Sequence, residues 1–112
     1  MSRVRLSRRL TLEAPQRSDD GAGGFVETWL PLGDLWADVT ARTGRERAEG
    51  TAPVSRMNYK IVVRSAPYGA SARPMPEQRF REGNRVFHIQ AVADRDPEGR
   101  YLTCFADEEV AV

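Results

Sequence analysis

Apolar positions along this chain recur with a period of two almost throughout. In "VRLSRRLTLEAP", Val4, Leu6, Leu10 and Leu12 fall on even positions, with Arg8 the single interruption. Alternation of this kind sends successive side chains to opposite faces and predicts a half-buried strand. The stretch "SDDGAGG", Ser18 to Gly24, ends it with glycines suited to a turn. "FVETWLPLGDLWADVTA", Phe25 to Ala41, then places Leu35, Ala37, Val39 and Ala41 on one face, and Trp36 and Asp38 on the other. Pro31 has no N–H to give to a central ladder, so an edge, bulge or bend is expected there. The segment reads as one long bent strand or as two in succession.

Further on, "MNYKIVVRS" puts Met57, Tyr59, Ile61 and Val63 on one face, against Lys60 and Arg64 with Val62 between them. "APYGASARPMPEQ" holds Pro67, Pro74 and Pro76 and reads as an irregular connection. "RFREGNRVFHIQAVADRD" predicts a hairpin about Gly83-Asn84, with Phe87, Ile89 and Ala91 alternating with His88 and Gln90. "DRDPEG" is a turn, and "RYLTCFADEEVAV" gives a last strand followed by an acidic tail, 107–112, expected to be flexible. The pattern amounts to an all-β chain, a small single-domain barrel or sandwich of about six strands. One connection stands apart. "ARTGRERAEGTAPVSR", residues 41–56, carries four arginines, two glutamates and two glycines, with Val54 its only apolar side chain larger than alanine. Connections in compact domains are usually about 4–6 residues.

Composition narrows the classes. At 112 residues the chain is sized for one domain, and 40% apolar with 29% charged residues fits a globular protein. A formal net charge of +1 gives no overall field for nucleic acid, so any such contact must come from local patches. Cys104 is the only cysteine, which excludes a disulfide framework and a cysteine metal cluster. "MSRVRLSRRL" lacks the apolar run of a signal peptide, and no segment approaches the ~18 apolar residues of a membrane helix; a cytoplasmic origin is the expectation.

Candidate chemistry is sparse. His88 and Cys104 lie on strands that could be neighbours, but no third group is present to orient the base, and Cys104 among Leu102, Phe105 and Ala106 reads as a core residue. The pairs Asp19/Asp20 and Asp94/Asp96 sit in Gly- or Pro-containing turns, where aspartate bonds its own backbone. No enzyme activity, metal or cofactor is expected. Two basic features remain: an arm of Arg3, Arg5, Arg8 and Arg9, and the loop arginines Arg42, Arg45, Arg47 and Arg56. Either they are a solvated face or they contact phosphates.

The order of segments resembles the head–tail joining (head-closure, or stopper) proteins of long-tailed bacteriophages and gene transfer agents. "LSRRLTLEAP" is similar to the family's opening strand, and "DDGAGGFVETW" to its Gly-rich turn with the following Glu-Thr-Trp. "LWADVTARTGRERAEG" is similar to the Trp-Ala strand leading into a loop with Gly-x-Glu, "YKIVVR" to the strand ending in arginine, and "RFREGNRVFHIQAVADRD" to the hairpin ending in an aspartate-bearing turn.

The resemblance implies a β-barrel assembled as a ring, commonly a hexamer, in the neck of a virion or gene transfer agent particle assembled in a bacterial cytoplasm. Its implied partners are other copies of itself, a portal adaptor, a tail terminator or tail tube protein, and double-stranded DNA in the lumen; no membrane is involved. On that basis Arg42, Gly44, Arg45, Glu46, Arg47, Glu49 and Gly50 are expected to line the DNA channel. Six loops would gather about 24 arginines and 12 glutamates. Trp29, Trp36, Arg8, Arg9 and Arg64 are candidates for subunit or partner contacts, with core packing open for both tryptophans. Alternatives are a tail-side completion protein, or an OB- or SH3-like barrel that binds single-stranded nucleic acid, for which Phe80 between Arg79 and Arg81 is the one local stacking signal.

Overall fold

The computed structural model describes residues 3–42 and 54–111. Six strands, β1 (Arg8–Asp19), β2 (Phe25–Ala41), β3 (Val54–Arg64), β4 (Arg79–Glu82), β5 (Arg85–Asp94) and β6 (Tyr101–Ala111), form one antiparallel closed barrel in the order β1-β2-β3-β6-β5-β4. Closure removes the open sheet edges that would otherwise pair with other chains. The interior takes the alternate residues of every strand. Leu10 and Leu12 of β1, Ala37 of β2, Ile61 and Val63 of β3, Phe80 of β4, Phe87 and Ile89 of β5, and Leu102, Cys104 and Ala106 of β6 form one buried cluster. Of the expected inward set on β3, Met57 is exposed, because it lies past the end of this cluster.

Two β-bulges set which side chains reach that interior. On β2, Leu12 pairs with Gly33 but Glu13 pairs with Pro31, so Leu32 is an extra residue, and Gly33 takes a φ of 140° that other residues rarely adopt. Inward positions on β2 therefore change from odd (Leu35, Ala37, Val39) to even (Leu30, Thr28, Val26). Pro31 thus sits beside a bulge in one continuous strand. On β5 the shift lies between Ile89 and Ala91, and Val92 rather than Ala91 faces Cys104. The expected inward Ala91 is exposed instead, opposite Phe105 on the outer surface, because the inserted Gln90 inverts the alternation.

The hairpin about Gly83-Asn84 is present with a φ of 60° at Gly83 and no positive φ at Asn84, the type II′ pattern with glycine first. Asp20 accepts N–H bonds from Ala22 (2.8 Å) and Gly24 (3.0 Å), and Asp96 from Arg100 and Tyr101, so these aspartates build turns as expected.

Two sequence boundaries need correction. The long connection is shorter than 41–56, since β3 begins at Val54 and Arg56 belongs to it. No separate tail begins at 107 either: β6 continues to Ala111 against β3, and Asp107 and Glu108 are buried. Arginines from elsewhere in the chain supply the counter-charge that makes this burial tolerable, through Arg56 to Asp107 and Arg85 to Glu108.

β1 and β2 also run past the barrel. β4 pairs with β1 only over Thr11–Glu13, and β3 reaches β2 only from Ala37, yet β1 and β2 stay paired out to Asp19 and Phe25. Residues 14–30 are thus a two-stranded ribbon that leaves the barrel and contributes to a longest dimension of 50 Å.

Candidate interaction surfaces

Strand alternation leads five of the six strands, all but β2, to one end with a polar residue inside. Following Leu10, Phe80, Phe87, Ala106 and Ile61 by one inward step gives Arg8, Glu82, Arg85, Glu108 and Tyr59. Arg8 donates to Glu82 through Nε at 3.1 Å and through Nη2. Arg85 grips Glu108 with two donors at 2.9 and 3.1 Å, and the Tyr59 hydroxyl donates to the same carboxylate at 3.1 Å. The Arg8 and Arg85 hydrogen bonds hold Glu82 and Glu108, respectively, below the ordinary carboxylate range, and burial followed by the Glu108 contact raises the Tyr59 phenol. This cluster closes the mouth from which the long connection leaves. Arg8 is thereby tied to Glu82 at this mouth, partly exposed.

A second cluster lies outside. Glu13, buried on the outer wall, accepts from Arg79 Nε at 2.7 Å and Arg81 Nε at 2.9 Å. The Arg79 guanidinium in turn lies 4.0 Å from the centre of the Trp29 ring, and the Trp29 and His88 ring centres are 6.3 Å apart with the planes inclined at 63°. Trp29 is thereby fixed at the base of the ribbon, half-buried. Trp36 is different: 56% exposed on the outer wall, directly opposite Arg9 and next to the row of Arg64. Arg9 is held by Asp34 at 2.7 Å, an acid that Thr11 also supports with a 2.8 Å bond.

Of the seven candidate channel residues, the structure describes Arg42 alone. Its guanidinium sits 5.2 Å from the Phe105 ring centre and its N–H bonds Asn58. Gly44, Arg45, Glu46, Arg47, Glu49 and Gly50 lie outside the described residues. Arg56 is drawn off by Asp107 at 3.1 Å and Glu109 at 3.4 Å.

His88 and Cys104 do not meet, since His88 faces outward and Cys104 inward. Burial pushes the Cys104 thiol up to about 12, against a small opposing effect of Arg73. At pH 8 only about one thiol in ten thousand would then be thiolate. A thiol reagent is expected to leave the native protein untouched and to label it within minutes in guanidinium; rapid native labelling would contradict the buried position. Among the described residues no group of three or more His, Cys, Asp or Glu converges as a metal site. Phe80 is fully buried, which removes the stacking signal for single-stranded nucleic acid.

Fold and surfaces together define a small closed β-barrel whose described charged clusters tie strand to strand. The comparisons agree: the family model for the phage head completion protein matches residues 1–109, and the chain belongs to that family, a family of structural particle components. It is also similar to a chain in a solved structure described as the virion of a native gene transfer agent (GTA) particle, with 52% identity, all of both chains covered and a TM-score of 0.84. No curated protein matches.

Sequence reasoning missed the mouth cluster, Glu13 and the ribbon. For the mouth cluster a signal was present, since Arg8, Glu82, Arg85 and Glu108 each extend an inward alternation, but a charge in an apolar register reads locally as the strand's end.

Proposed function

We propose that this protein closes the head of a phage or gene transfer agent particle as a ring of copies, commonly six, between the portal adaptor and the tail. In this reading its long connection faces the DNA channel and its outer surfaces dock the tail. The observation that carries it is full-length similarity, at 52% identity, to a chain of a gene transfer agent virion. The family assignment supports the same place in the particle neck.

The charge of the connection shapes the mechanism. With Arg56 paired in β3, the segment between β2 and β3 keeps Arg42, Arg45 and Arg47 against Glu46 and Glu49. That is an excess of one positive charge per copy, about six for a hexamer instead of the twelve counted over 41–56. Each neutralised phosphate adds to affinity, so a strongly basic collar would hold DNA that must later pass. A nearly neutral collar fits a barrier that works by obstruction.

The test removes Gly44–Ala52 and measures DNA retention in filled particles, alongside the number of copies incorporated. Retention is expected to fall while incorporation stays normal. Arg45→Gln with Arg47→Gln is expected to retain DNA as the parent does. Normal retention and tail attachment in the deletion would overturn the channel role, and a neck map with the connection facing outward would do the same.

A further inference from the structure

The ribbon has two unlike faces. One carries Pro15 opposite Trp29, Arg17 opposite Glu27 and Asp19 opposite Phe25, with Arg17 lying 5.1 Å from the Phe25 ring centre. The other carries Ala14 opposite Leu30, Gln16 opposite Thr28 and Ser18 opposite Val26. In a chain with 29% charged residues, that second face has no charge at all. It extends the barrel's inward register into solvent, and Leu30 and Val26 are 50% and 49% exposed. Two strands alone are marginal in water unless an apolar face is covered. Pro15 within the ribbon and Pro31 at its base on the other strand each lack an N–H for a further strand, so the face rather than the edge is the contact.

A matching surface exists on the same chain. Residues 65–76, "SAPYGASARPMP", contain one charge in twelve residues. They are held in shape: Pro74 is fully buried, Arg73 donates to the Ala66 carbonyl at 2.8 Å, and the Gln78 side chain accepts from the Met75 N–H. The Tyr68 ring covers the lone charge, with the Arg73 guanidinium 3.8 Å from its centre. Tyr68 is nevertheless 86% exposed and Met75 54%, and tyrosine and methionine are side chains enriched in interface cores.

We propose that the uncharged ribbon face of one copy docks on the 65–76 surface of a second copy. The inference rests on the ring reading above and names the surfaces that join its subunits. Setting a charged partner surface against this face would strip water from charges without replacing their bonds, whereas 65–76 brings almost none. Since both surfaces remain exposed within a single chain, the pairing runs between chains. Two different faces meeting in this way make the heterologous contact that a ring requires. A six-residue face is smaller than the roughly 800 Å² per partner of stable complexes, so it joins copies only where the particle already gathers them.

The test uses assembled particles containing two co-produced forms of the chain, one with a photoreactive residue at Thr28 and one tagged. The expected product joins position 28 to residues 65–76 of the tagged chain, and a probe at Arg17, on the opposite face, gives none. Val26→Glu with Leu30→Glu is expected to lower incorporation at least about tenfold, while the melting temperature of the purified variant stays near that of the parent. Cross-linking from position 28 to a different protein, or within its own chain only, would overturn the inference. The symmetry of the neck separates this failure from that of the ring reading: adjacent copies lacking the 28-to-loop link overturn the docking surface alone, and a single copy per neck overturns both.

Discussion

Replacing Phe80 by alanine is expected to cost the barrel about 3–5 kcal/mol, the range for deleting a large buried aromatic. Phe80 lies on β4, a strand of four residues that is the sole bridge between β1 and β5. It faces Leu12 on one side and Phe87 on the other, all three buried in the core. A short strand holds its place through few backbone bonds, so its one core side chain matters more than it would on a long strand. Small domains are stable by about 5–15 kcal/mol, so the variant would lose a large part of its margin. Denaturant unfolding measures the loss as a lower midpoint. Phe80→Leu should recover most of it, and an alanine variant with an unchanged midpoint would contradict the core position.

The second large effect belongs to Glu13. Burial alone would raise its carboxyl pKa, but hydrogen bonds from Arg81 and Arg79 outweigh that and leave it below its usual 4.5. A carboxylate whose folded pKa is depressed adds stability above the unfolded value, and the contribution fades as pH falls through the folded one. Glu82 and Glu108 shift in the same direction through Arg8 and Arg85. The native barrel is therefore expected to lose stability as pH drops below about 4.5. At neutral pH Glu13→Gln should cost about 2–3 kcal/mol, at or below the bottom of the range for breaking a buried pair, because Arg81 is partly exposed and can rehydrate. The same variant should lose less than the parent on acidification. Trp29 gives an independent reading: Arg79 stacks on its ring, so its emission should shift in Glu13→Gln even where the protein remains folded. An unaltered acid slope would show that Glu13 is not ionised and paired.

These effects bear on the proposed docking because Glu13 joins the barrel to the ribbon. It is the last residue of β1 paired with β4, and its arginine partner stacks on the tryptophan at the ribbon's base. Loosening that joint would disturb how the ribbon is aimed while leaving the mouth cluster at the other end intact. Damage at the mouth, as in Glu108→Gln, should instead reach the connection between β2 and β3. In the proposed ring, the two ends of the barrel would thus offer separate handles on subunit contact and on the channel.

By itself the sequence determined the all-β class, the strand order along the chain, the hairpin at Gly83-Asn84 and the core identity of Leu10, Leu12, Ile61, Val63, Phe87 and Cys104. Each follows from a pattern within a few residues, because strand alternation and turn chemistry are local. Family resemblance was legible for the same reason, carried by short segments in a fixed order. Only the tertiary structure decided between barrel and sandwich, since closure depends on β1 meeting β4 across some 66 residues. It also placed the bulges at Leu32 and Gln90, where one extra residue exchanges inside and outside, and so moved Ala91 out and Val92 in. Asp107 and Glu108 read as a solvated tail until Arg56 and Arg85 were brought beside them. Leu30 and Val26 looked like any strand residues, yet among the described residues they stand half-exposed on a ribbon that runs past the barrel. Alternation says which residues share a face, and only contacts distant in sequence say whether anything lies against it.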